Sequence, residues 1–189
     1  METIISILIG IGLSAASGFR VFVPLLGLSI ASMTGALELS NDFVWIGSLP
    51  ALIAFSAATL VEIGAYYIPW IDNVLDTIAS PLAVFSGILV SASVLTDMSP
   101  LLKWTLAIIA GGSVAGLVQH GTVAVRAASS VTTGGIGNFL VATFEFFGAS
   151  ATTALAIIVP VICIICLLIL ITIFIWRYRK RKALKITSP

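Results

Sequence analysis

Ser14-Ala-Ala-Ser-Gly-Phe-Arg-Val-Phe-Val-Pro24 stands in the middle of an apolar run that extends from residue 3 to residue 33. A run of that length exceeds the ~20 residues that one helix needs to cross a bilayer. Its centre is also unfit for a straight helix. Small residues weaken it, Pro24 has no N–H to donate, and Arg20 carries a charge. The stretch therefore predicts an interrupted helix. Broken backbone and charge at bilayer depth are tolerated where protein buries them or where they line a cavity, so this segment points to a helical bundle with a polar centre.

Working outward, the composition agrees. Of 189 residues, 59% are hydrophobic and 9% charged, which excludes a soluble globular domain, where about a quarter charged is usual. Amphipathic rings favour the headgroup level and mark span ends. Trp45 opens a span that closes at Tyr66, Tyr67 and Trp70; Trp104 opens another; Trp176 with Tyr178 closes the last. The spans then read 3–33, 44–68, 78–96, 101–126 and 138–176, an all-α polytopic bundle of five or six crossings. Residues 138–148 would cover only about 16 Å as helix. They are expected to be a half-helix or re-entrant segment, ahead of a final span at 152–176 that Pro160 bends.

Residues 1–176 read as one transmembrane domain. The start lacks a basic n-region and is expected to be a retained first span, not a cleaved leader. Arg177, Arg179, Lys180, Arg181, Lys182 and Lys185 crowd the tail at 177–189. Lys and Arg beside a span resist translocation, so the tail is expected in the cytoplasm and the protein in the cytoplasmic membrane. Residues 34–43 carry Glu38 and Asp42 without a basic residue and are expected outside. Six crossings would put both termini inside; five with a re-entrant half-helix would put the N-terminus outside.

Two internal alignments are open, and internal repeats in transporters often flank a substrate site. Leu60-Val-Glu-Ile-Gly64 echoes Leu117-Val-Gln-His-Gly121, and Gly12 to Arg20 can instead be set against Gly116 to Arg126. Gly112-Ser-Val-Ala-Gly116 gives a small-xxx-small face, better suited to packing within the chain than to a dimer seam, although a homo-oligomer stays open. Cys163 and Cys166 lie in an apolar helix without a second pair or a nearby His, and read as small buried side chains with no metal.

Gly18-Phe-Arg-Val-Phe-Val-Pro24, then Glu62 to Pro81 with Asp72-Asn-Val-Leu-Asp76, then Thr133-Gly-Gly-Ile-Gly-Asn138 form an ordered set. The set resembles the bacterial integral-membrane family filed as domain of unknown function 4126, over about residues 5–150. It is specific as a set and weak motif by motif. The resemblance implies a multi-span membrane protein and supplies no activity, so the mechanism must come from the residues.

Three constellations carry chemistry. Arg20, Glu62, His120 and Glu145 lie in apolar stretches and are the candidates for an ion or solute pathway, with Glu62 the first expected partner of Arg20 and Glu145 the second. Asp72 and Asp76 fall at i and i+4 with Asn73 beside them. That face is either an oxygen-rich cation site or a solvated helix start. Arg126 precedes Ser129, Ser130, Thr133, Gly134, Gly135, Gly137 and Asn138. Those residues make either an anion nest suited to phosphate or a tight turn.

The expected function is a transporter or channel for a small ion or polar solute through a polar centre. The alternative is a lipid-headgroup-binding or membrane-assembly scaffold. No nucleophile–base set is recognisable, so no enzyme is expected, nor a cofactor. The expected partners are membrane lipids and the solute, with no nucleic acid.

Overall fold

The computed structural model describes residues 2–68 and 71–187, together with their side chains except those of 72, 73, 174, 175 and 177–187. Pro69, Trp70 and the basic side chains of the tail therefore lie outside the described residues. The elements are α1 (Glu2–Phe19), α2 (Phe22–Met33), a 3-10 turn (Asn41–Gly47), α3 (Leu49–Tyr66), α4 (Ile71–Val94), α5 (Pro100–Leu106), a π-helical turn (Ala107–Gly112), α6 (Ser113–Thr133), α7 (Asn138–Ile158) and α8 (Pro160–Thr187). No strand occurs among the described residues. Five helices are long and apolar enough to cross a membrane, α5 to α6 counting as one of 34 residues; α2 and the apolar part of α8 are shorter.

The break in the first apolar run falls where the sequence places it. The Arg20 amide still donates to the Ala16 carbonyl, the chain turns at Arg20–Val21, and α2 starts with Pro24 in its first turn, where a missing N–H costs no intrahelical bond. Ser86 Oγ of α4 donates to the Val21 carbonyl at 2.9 Å and so ties the break to α4.

Helix α1 is the central post, packed against α4, α6 and α7. Its small residues make this possible. A Cβ on Gly18 would come 2.5 Å from the Ala115 carbonyl oxygen, and one on Gly12 would come 2.6 Å from Ala156 Cβ, so only hydrogen fits at either contact. The Gly112–Gly116 face packs on Val84 and Ile88 of α4, as intramolecular packing requires. Helix α3, by contrast, is peripheral: 22% of its span is buried, against half of α1.

Two boundaries differ from the sequence reading. The helix that begins at Asn138 does not stop at 148 but runs unbroken to Ile158. Gly148 looked like a terminator, yet it faces the Phe19 ring at van der Waals distance with room to spare. The break falls instead at Val159, directly before Pro160, because a residue preceding proline is driven out of the α region. The last helix therefore begins at Pro160 and folds back, bringing Cys163 Sγ to 3.7 Å from the Thr152 carbonyl of α7. Cys163 is buried and Cys166 exposed, both as free thiols.

The second difference is at the Ser-Thr-Gly segment. Residues 129–133 extend α6, and the turn is confined to 134–137, with Gly134 and Gly135 at φ 64° and 90°. Two successive residues in the left-handed region exclude ordinary side chains there.

Candidate functional site

Five ionisable side chains from five parts of the chain meet in the interior. Arg20 comes from the α1–α2 break, Glu62 from α3, Asp76 from α4, Arg126 from α6 and Glu145 from α7. Each is at most 9% exposed. Each helical member lies within about two turns of the same end of the bundle, near the C-termini of α3 and α6 and the N-termini of α4 and α7. The charged centre anticipated from sequence thus sits toward one end, next to the 134–137 turn.

Glu145 is the hub. Arg126 Nη2 lies 2.6 Å and 2.5 Å from its two oxygens, and Arg20 Nη2 lies 3.3 Å from Oε2. Arg20 Nη2 also donates to the Ala142 carbonyl at 2.9 Å, one helical turn before Glu145. Arg126 Nη1 reaches Asp76 Oδ1 at 2.8 Å, and the Tyr66 hydroxyl donates to the same oxygen at 3.2 Å. The Tyr66 ring is sandwiched between the guanidiniums, 3.9 Å from Arg20 Cζ and 4.2 Å from Arg126 Cζ. Stacked cation–π contacts let two positive groups approach where they would otherwise repel.

Glu62 plays another part. Its Oε1 accepts from the Val21 amide at 2.8 Å and its Oε2 from the Phe22 amide at 3.1 Å. The carboxylate therefore caps the N-terminus of α2, where the helix dipole favours negative charge. It is not the ion-pair partner of Arg20: Glu145 holds that place, and the order inferred from sequence is reversed. The reason is the helix break, which exposes two amides to the Glu62 carboxylate of α3.

His120 does not belong to the cluster. Its side chain is exposed and Nδ1 donates to the Gly116 carbonyl of its own helix at 2.7 Å. The inward position on that turn is taken by Gln119, which is 3% exposed.

Arg126 is likewise not the head of an anion nest, because two carboxylates already hold its guanidinium, seven residues from the helix end. The Ser-Thr-Gly residues bond among themselves. Thr133 Oγ1 donates to the Ser129 carbonyl at 2.7 Å and accepts from the Gly137 amide at 2.9 Å, and Asn138 Nδ2 donates to Ser130 Oγ at 2.8 Å. The segment is a helix end and a tight turn. Asp76 is held by Arg126; the side chains of Asp72 and Asn73, the other members of the expected cation face, lie outside the described residues.

Two features escaped the sequence reading. Tyr66 looked like an interface aromatic; its position four residues after Glu62, on the same helical face, was the available signal. Lys103, to which no role was given from sequence, is 6% exposed and ties α5 to the loop before α3, with Nζ 2.9 Å from Ser40 Oγ and 2.8 Å from Asp42 Oδ2.

Charge and hydrogen bonding are both unbalanced in the cluster. Among the described residues two guanidiniums face three carboxyl groups, a formal excess of one acid, and Glu62 is the one with no ion pair. Arg20 Nε and Nη1 and Arg126 Nε are buried without an acceptor among the described residues. A family model described as Domain of unknown function (DUF4126) matches residues 7–180. No curated protein and no solved structure matches the chain.

Proposed function

Since the chain belongs to the DUF4126 family, whose description names no activity, we propose a function from its own residues: the protein moves a small ion or polar solute across its membrane. The Arg20–Glu62–Asp76–Arg126–Glu145 cluster is the station where that charge is exchanged. The observation that carries this reading is the surplus negative charge, buried among three carboxylates and two guanidiniums.

An uncompensated charge at such depth costs several kcal/mol, on the order of 3 or more. A proton or a small cation bound beside Glu62 removes that cost, and its departure restores it. The unengaged guanidinium N–H groups offer donors to the oxygen atoms of a polar solute. The break at Arg20–Val21 supports the same reading, because interrupted helices in transporters end at their ion sites.

Charge on the tail holds it in the cytoplasm. Helix α8 runs back along α7 toward the end that carries the cluster, which supports a cluster nearer the cytoplasmic side. The chemistry is binding and passage, without a catalytic step or cofactor, in contact with membrane lipids.

The test is a flux panel. Purified protein in liposomes is challenged with gradients of protons, alkali cations and small anions against protein-free vesicles. Transport predicts a protein-dependent flux for a cation. Silence across the whole panel would end the transport reading and leave the lipid-headgroup or scaffold alternative in front.

A further inference from the structure

The hydrogen bonds of the cluster sort the ions that it can exchange. A metal cation stripped of its water requires about six oxygen ligands turned toward it. Here the carboxylate oxygens already face donors. Glu145 holds Arg126 with both oxygens and Arg20 with one, Asp76 Oδ1 takes both Arg126 and the Tyr66 hydroxyl, and each Glu62 oxygen takes a backbone amide. The cluster atoms that are buried without a partner among the described residues are Arg20 Nε and Nη1 and Arg126 Nε, which are donors as well. Guanidinium N–H groups repel a metal cation and have no lone pair to offer it.

A proton requires a single lone pair. A carboxylate oxygen has two acceptor sites, so each Glu62 oxygen keeps one beside its amide. Glu62 is also the acid with no ion pair among the described residues, and its protonation removes the formal excess of one acid there. Arg20 and Glu145 are the charged groups that act on it directly, and Tyr66, Asp76 and Arg126 complete its titratable surroundings.

Packing beyond the cluster supports the same ion. Val21, whose amide binds Glu62, has its carbonyl bonded to Ser86 Oγ, and Ser86 Oγ lies 3.1 Å from Ser17 Oγ of α1. Both serines are buried between α1 and α4. About one turn further from the cluster, Ser14 Oγ donates to the Gly87 carbonyl at 2.7 Å. A Cβ on Gly111 would come 2.7 Å from the Gly87 carbonyl oxygen and 3.0 Å from Ser14 Oγ, so this seam has no room for a hydrated ion. Hydroxyl groups both donate and accept, and they suit a proton where nothing larger fits.

We propose that the ion exchanged at the cluster is the proton, with Glu62 as its carrier. The inference rests on the proposed transport and names its substrate. On loading, an O–H bond of hydronium breaks as one forms at a Glu62 oxygen, leaving water and a neutral carboxylic acid; release reverses both changes.

The experiment compares cations in proteoliposomes. Pyranine-loaded vesicles, with equal potassium on both sides and valinomycin to clamp the potential, receive an outside pH step. Uptake of radioactive sodium and rubidium is measured in parallel without valinomycin. Protein-dependent proton entry is expected, with sodium and rubidium at the level of protein-free vesicles. Glu62→Gln keeps an acceptor for the α2 amides but no longer titrates, and it should lose the proton flux. Glu62→Asp should retain part of it. Melting of each variant separates loss of flux from loss of fold.

Sodium or rubidium uptake above protein-free vesicles would overturn the proposal, and so would full proton flux through a folded Glu62→Gln protein. Should Glu62→Gln fail to fold, the comparison of ions in the wild type still decides. Flux of sodium, rubidium or an anion without proton flux would sink this inference and leave the proposed transport standing. Silence toward every ion would end both.

Discussion

Tyr66 shows what a single side chain contributes to the cluster. Its ring separates two guanidiniums and its hydroxyl holds Asp76. Tyr66→Phe keeps the ring and loses one buried hydrogen bond, so stability should fall by about 1 kcal/mol. Tyr66→Leu also removes both cation–π contacts, each worth up to about 2 kcal/mol when desolvated, and should cost clearly more. Thermal melting in detergent of the two variants checks the order; equal midpoints would deny the ring its role.

Arg126→Met removes the cation that Asp76 and Glu145 share, at a cost of about 3–5 kcal/mol. A double-mutant cycle of Arg126→Met with Glu145→Gln should return a coupling of about 1–3 kcal/mol. A coupling near zero would mean that the pair does not form in the membrane. That Arg20, Glu62, Arg126 and Glu145 are special was legible from charge in apolar surroundings. Their pairing was not, because it depends on which helices stand side by side, and no local pattern records that α6 and α4 approach closely enough for Arg126 to meet Asp76.

At the scale of elements, close approach of backbones decides the architecture. Gly18→Val would drive side-chain carbon into the Ala115 carbonyl and Val118, so α1 and α6 must part and Arg20 must leave its place. Overpacking of this kind costs about 1–3 kcal/mol or more. The variant should melt lower than a Gly64→Val control, whose added Cβ meets nothing. Equal melting of the two would contradict the central position of α1.

The interrupted first run was readable because proline, arginine and small residues coincide within it. The course of α7 was not, since Gly148 suggested an end that helix packing overrides, while the true end depends on Pro160 acting on the residue before it. The polar segment at 129–138 shows the same lesson in reverse. Its composition is that of a loop, yet half of it continues as helix, with the Thr132 and Thr133 hydroxyls folded back onto carbonyls of the preceding turn.

The whole molecule has two unlike ends. One carries the ion cluster and the 134–137 turn. The other carries residues 34–48, where the Ser40 amide donates to the Ser93 carbonyl and Lys103 grips Ser40 and Asp42. Single cysteines at Glu38 and Ile136, both exposed, should therefore label from opposite sides of the membrane. Ser40, buried by Lys103, is a poor probe. Labelling of both from one side would refute the arrangement of the ends.

The central claim is that one surplus buried charge makes the cluster an ion-exchange station, and Glu62→Gln tests it most directly by balancing the charges. Gradient-driven cation flux into proteoliposomes is measured for wild type and variant, with melting alongside. The predicted result is abolished flux with stability within about 1 kcal/mol of wild type, the loss of part of the α2 cap offsetting the relief of charge. Undiminished flux through a folded Glu62→Gln protein would contradict the claim.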